Sequence, residues 1–81
     1  MAEFSKHARE RMKSRGISAD EATDVIEHPD NTITQPCKTI YQKKIDKKNS
    51  LYLYRVFVNT CKEPELIITV YRTTKIDKYE N

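Results

Sequence analysis

Eighty-one residues, 37% of them hydrophobic and 33% charged, set one small domain with a single core and exclude a deep cleft between domains. No apolar run approaches the ~20 residues of a membrane span, and the charged segment Met1–Lys13 does not read as a signal peptide, so a cytoplasmic setting without a membrane partner is expected. The formal charge of +3 is mild but polarised: five of the 12 acids lie between Asp20 and Asp30, where there is no Lys or Arg, and the other seven are scattered among 15 bases. Such a chain steers polyanions to one side.

A first helix is predicted from a cap at Ser5, with Phe4 packing back onto its first turns and Gly16 closing it as the left-handed residue. At 100° per residue, Phe4, Ala8 and Met12 share an arc of about 80°, with Arg11 and Arg15 inside or beside it and His7 at its edge. On that count His7 and two arginines turn toward the body of the protein, while Lys6, Arg9 and Lys13 point away. The second helix opens on the capping box Ser18…Glu21, carries Ala22, Val25 and Ile26 as its apolar stripe, and stops at Pro29.

Past Asp30 the pattern becomes that of strands: Thr32–Gln35 at an edge, Thr39–Ile45, a turn over Asp46–Asn49, then Leu51–Val58 and Leu66–Thr73 around a loop that contains Pro64. In the last strand Leu66, Ile68, Val70 and Arg72 should face the helices, and Ile67, Thr69, Tyr71 and Thr73 the other side. Two helices followed by adjacent strands give an α+β domain over residues 1–81, with both helices on one face of a sheet of about four antiparallel strands. Cys37 and Cys61 share no close-spaced motif and, without an export signal, read as free thiols.

Three groups could carry chemistry. His7, in the first turn of a helix whose positive end disfavours imidazolium, suits a neutral general base, or else is a plain structural histidine. Arg11 and Arg15 either meet carboxylates, such as Glu80 or those of the second helix, or line a phosphate site. The run Tyr71–Tyr79 offers two threonine hydroxyls, two tyrosines and three cations, a composition suited to phosphate, ribose and bases, or simply to a solvated strand end. A nucleophile–histidine pair, paired zinc-ligand spacing and a glycine-rich phosphate loop are not found, so no metal or cofactor is expected.

The blocks Phe4-Ser5-Lys6-His7-Ala8, Arg11-Met12, Arg15-Gly16-Ile17 and Val25-Ile26-Glu27-His28-Pro29, with the strand from Ile68 to Tyr79, resemble the prokaryotic family catalogued as domain of unknown function 4258. That family is similar in layout to the RelE, colicin-nuclease and barnase-like toxin superfamily. The resemblance implies helices on a four-stranded antiparallel sheet and a metal-independent ribonuclease site drawn from His7, Arg11, Tyr71, Thr73, Thr74 and Lys75. The chain departs from the barnase-like pattern in lacking an obvious glutamate–histidine pair.

The expected function is therefore a small metal-independent endoribonuclease, of toxin type, in which the RNA 2′-hydroxyl attacks the adjacent phosphate. His7, Arg11, Tyr71, Arg72, Thr74 and Lys75 form the expected catalytic set. Arg15, Arg55, Thr73, Lys78 and Tyr79 are the expected contacts to the rest of the RNA. RNA, and a protein antitoxin, are the expected partners of a monomer or homodimer. The alternative is a non-catalytic module that binds nucleic acid or a protein.

Overall fold

The computed structural model describes residues 2–78. The chain runs β1 (Glu3–Phe4), α1 (Lys6–Arg15), α2 (Ala19–Glu27), β2 (Asn31–Gln35), β3 (Lys38–Lys47), β4 (Ser50–Asn59) and β5 (Leu66–Thr73), then a 3-10 turn at Ile76–Lys78. The strands form one sheet in the order β1-β5-β4-β3-β2, antiparallel except where β1 pairs with β5. The domain is thus α+β as expected, but its sheet is five-stranded and mixed rather than four-stranded and antiparallel. The extra strand is two residues long, too short to show alternation. It is held by the Glu3 amide on the Glu65 carbonyl (2.8 Å) and the Ser5 amide on that of Ile67 (2.9 Å).

Both helix starts follow their sequence signals. Ser5 Oγ accepts from the Ala8 amide at 3.0 Å and donates to the Ile68 carbonyl, tying α1 to β5. Gly16 ends α1 at φ 68°, and the Ile17 amide reaches back to Met12. Ser18 and Glu21 complete a reciprocal capping box at 3.1 and 2.9 Å. The β3–β4 turn is tighter than expected. Only Lys48 and Asn49 lie between the strands, both at positive φ, as a two-residue hairpin turn needs.

Ala8, Met12, Ile17, Ala22 and Val25 pack on Tyr54, Val56, Val58, Ile67 and Val70 to make the core. The expected inward face of α1 is corrected here. Phe4 belongs to β1 and not to the helix, so the buried arc centres between Ala8 and Met12 alone; Arg11 then lies about 80° and His7 about 120° away from it. Both are exposed. A bulge corrects the expected core set of β5. Phe57 pairs with Thr69 but Val58 with Ile67, so Ile68 is skipped and Ile67, not Leu66 or Ile68, joins Val70 under the helices.

Cys37 and Cys61 form a disulfide with Cα atoms 4.8 Å apart, overturning their reading as free thiols. The pairing of Lys38 with Asn59 brings the β2–β3 turn and the end of β4 to one end of the sheet, a proximity that 24 residues of separation conceal.

Candidate nucleic-acid interface

The two sides of the sheet hold different chemistry. On the side away from the helices, strand register builds rows of side chains across β3, β4 and β5: Lys44–Leu53–Thr73, Gln42–Arg55–Tyr71 and Ile40–Phe57–Thr69, with Lys38–Asn59 at the end. Beta-branched and aromatic residues make these strands, and alternation puts every second side chain on this outer face. These rows contain Lys38, Lys44 and Arg55, and the acids of the same face lie at its ends, Asp46 opposite Leu51 and Glu3 beside Leu66.

Arg55 is the centre. Its Nε donates to Gln42 Oε1 at 2.6 Å and its Nη1 donates to the Tyr71 hydroxyl. The guanidinium also lies 5.2 Å from the Phe57 ring centre and 5.6 Å from that of Tyr71. Those two rings stack, 5.9 Å apart and inclined by 24°, and Lys38 Nζ approaches Phe57 at 5.8 Å. A guanidinium fixed by an amide and a phenol beside stacked rings is preorganised for a phosphate, and the rings for a base.

On the helix side, Arg72 does something else. Its Nη1 donates to the Tyr54 hydroxyl and its Nη2 to the Arg15 carbonyl, both at 3.0 Å, and its guanidinium lies 5.1 Å from the Tyr52 ring. Tyr54, fully buried, donates in turn to Glu21 Oε2 at 2.7 Å, which also accepts from Lys47 Nζ at 3.0 Å. Burial pushes the Glu21 carboxyl up, but the Ser18 amide, the Tyr54 hydroxyl and Lys47 outweigh it and hold it at about 2. Burial and the neighbouring Glu21 push the Tyr54 phenol up. This network ties the end of α1 and the start of α2 to the sheet.

The residues expected to form one site are therefore divided. Tyr71, Thr73 and Arg55 meet on the outer face. Arg72 lies under the helices, bound to the end of α1 through Arg15. His7 and Arg11 line a shallow concavity of about 350 Å³ with Glu10 and Ser14 on the solvent side of α1. Thr74 and Lys75 follow the strand end, where the Lys75 amide donates to Thr73 Oγ1 at 3.1 Å. Lys78 lies in the 3-10 turn; Tyr79 and Glu80 lie outside the described residues. Gln42, Phe57, Lys38 and Lys44 were not singled out from the sequence. The signal that could have found them is the alternation Lys38, Ile40, Gln42, Lys44 in β3 against Leu53, Arg55, Phe57 in β4.

The profile of one family matches residues 4–72 and so takes in both helices and every outer-face row, apart from Thr73. The chain belongs to the family described as domain of unknown function DUF4258. No curated protein and no solved structure matches it. Among the described residues of this DUF4258 domain no helix is long and apolar enough to cross a membrane, and no three His, Cys, Asp or Glu side chains gather as a metal site.

Proposed function

We propose that this DUF4258 domain is a small metal-independent endoribonuclease of toxin type, working in the cytoplasm and related in layout to the RelE, colicin-nuclease and barnase-like superfamily. The observation that carries this reading is the outer-face cluster: Arg55 held between Gln42 and Tyr71, beside stacked rings, on a face that also carries Lys38 and Lys44. A base of single-stranded RNA stacks on Phe57 and Tyr71, and Lys38 and Lys44 hold flanking phosphates. The 2′-hydroxyl attacks the adjacent phosphorus as its proton passes to the Tyr71 oxygen, which hands its own phenol proton to solvent. Arg55 stabilises the charge that develops on the pentacoordinate phosphate, and the 5′-oxygen leaves with a proton from solvent. A protein antitoxin would act by covering the same face.

A second reading, a module that holds RNA without cutting it, draws on the placement of His7 and Arg11 on α1, away from Tyr71. The test compares cleavage and affinity in EDTA for Tyr71→Phe, Arg55→Gln and His7→Ala. Catalysis at the outer face predicts a rate loss of about 10²–10⁴ for the first, about 10²–10³ for the second and little change for the third. A loss confined to His7→Ala would move the chemistry to α1. Salt-dependent binding without cleavage by any form would establish the second reading.

A further inference from the structure

α1 is the opposite of α2 in charge. It carries Lys6, Arg9, Arg11, Lys13 and Arg15, with Glu10 as its one acid, and all six side chains are exposed. Among the described residues these five cations form no ion pair, whereas Glu21 and Asp24 of α2 are paired with Lys47 and Lys43. The helical layer is thus divided into a basic helix over β5 and an acidic one, two of whose four acids are paired with lysines of β3, over β3 and β4. Because β1 is only two residues long, the basic helix lies beside the sheet edge that separates it from the outer face.

We infer, on the reading that RNA is the ligand, that α1 is a second docking surface, which takes the phosphate backbone of RNA passing around the β1 edge from the outer face. Phosphates rather than a protein fit it, because its exposed side chains are all polar or charged. A protein interface has an apolar centre, and the one large exposed hydrophobic side chain among the described residues is Leu51, on β4. The domain is 19 Å through its thinnest dimension, so a strand with stacked bases, at about 3.4 Å per nucleotide, needs roughly six nucleotides to span it. Short RNA seats on the outer face alone; longer RNA reaches both surfaces.

The experiment measures the salt dependence of affinity for 2′-O-methyl RNA, which cannot be cut, as a pentamer and as a 20-mer. Wild type is compared with Lys6→Ala/Arg9→Ala/Lys13→Ala, changes at exposed sites that favour the helix. Losing three phosphate contacts should flatten the 20-mer's log–log salt slope by about 2 and weaken it on the order of 100-fold at about 0.1 M salt, leaving the pentamer unchanged. An unchanged 20-mer slope, with Arg55→Ala still weakening pentamer binding, would overturn the role of α1 and leave the RNA reading standing. An unchanged slope with loss of poly-glutamate binding would assign α1 to an acidic protein instead. If wild type binds neither RNA, the RNA reading falls and takes this one with it.

Discussion

Tyr54→Phe removes a single oxygen, but that oxygen joins the two helix ends. It donates to Glu21 and accepts from Arg72, and Tyr54 has 0% exposure, so water cannot replace it. Hydrogen bonds to charged partners contribute about 1.5–3 kcal/mol each. Glu21 keeps Lys47 and the Ser18 amide, and Arg72 keeps the Arg15 carbonyl, so the total should lie at the low end, about 3 kcal/mol. For a domain of this size that lowers the Tm by about 10–20 °C. The pH dependence gives a second readout. The Glu21 carboxyl, held at about 2 instead of 4.5, contributes its full stabilisation above pH 4.5 and loses it as the pH falls toward 2. Its side chain keeps 23% of its exposure, so the screened contribution is about 1–2 kcal/mol. Thermal melts by circular dichroism between pH 7 and pH 2.5 should show the Tyr54→Phe deficit shrinking as Glu21 protonates, and Glu21→Gln should lose less stability in acid than wild type. A Tm shift below about 3 °C at pH 7, or an acid profile unaltered by Glu21→Gln, would refute the network.

Three further outcomes follow from other parts of the fold. Cys37→Ser/Cys61→Ser opens a covalent loop spanning 24 residues and should cost about 3 kcal/mol in urea denaturation; a wild-type midpoint indifferent to reductant contradicts the bond. Gly16→Ala meets no atom within 4 Å but places a Cβ at φ 68°, so only backbone strain of about 1 kcal/mol is expected, and an unchanged or higher Tm argues against the left-handed cap. Phe57→Ala takes away the ring that stacks on Tyr71 and lies beneath Arg55 and Lys38, and should weaken RNA binding about tenfold or more; full affinity would remove Phe57 from the interface.

Local signals in the sequence were good guides where one residue type dictates one backbone state. Ser5, Gly16 and the Ser18–Glu21 pair each carry such a signal, and the alternation of β5 put Thr69, Tyr71 and Thr73 on the face away from the helices. What failed depended on pairing between distant segments. β1 exists only because Leu66 and Ile67 lie beside it, and that partnership removes Phe4 from the helix count that had turned His7 and Arg11 inward. The bulge opposite Phe57 and Val58 changes which isoleucine is core without leaving a trace in the pattern of hydrophobic residues. The disulfide likewise needs the register of β3 on β4. The candidate site was legible as a kind of chemistry, cations with tyrosines and hydroxyls, but not as a place. Arg55 and Tyr71 come together only through the Arg55–Tyr71 pairing, and Arg72, one residue along, is turned to Tyr54 on the opposite side.

The most direct measurement is the end chemistry of RNA incubated with the pure protein in EDTA. Attack by the 2′-hydroxyl at the outer face predicts 2′,3′-cyclic phosphate and 5′-hydroxyl ends, in a yield that falls with Tyr71→Phe and Arg55→Gln. RNA left intact by the wild-type protein, or fragments ending in a 3′-hydroxyl, would contradict it.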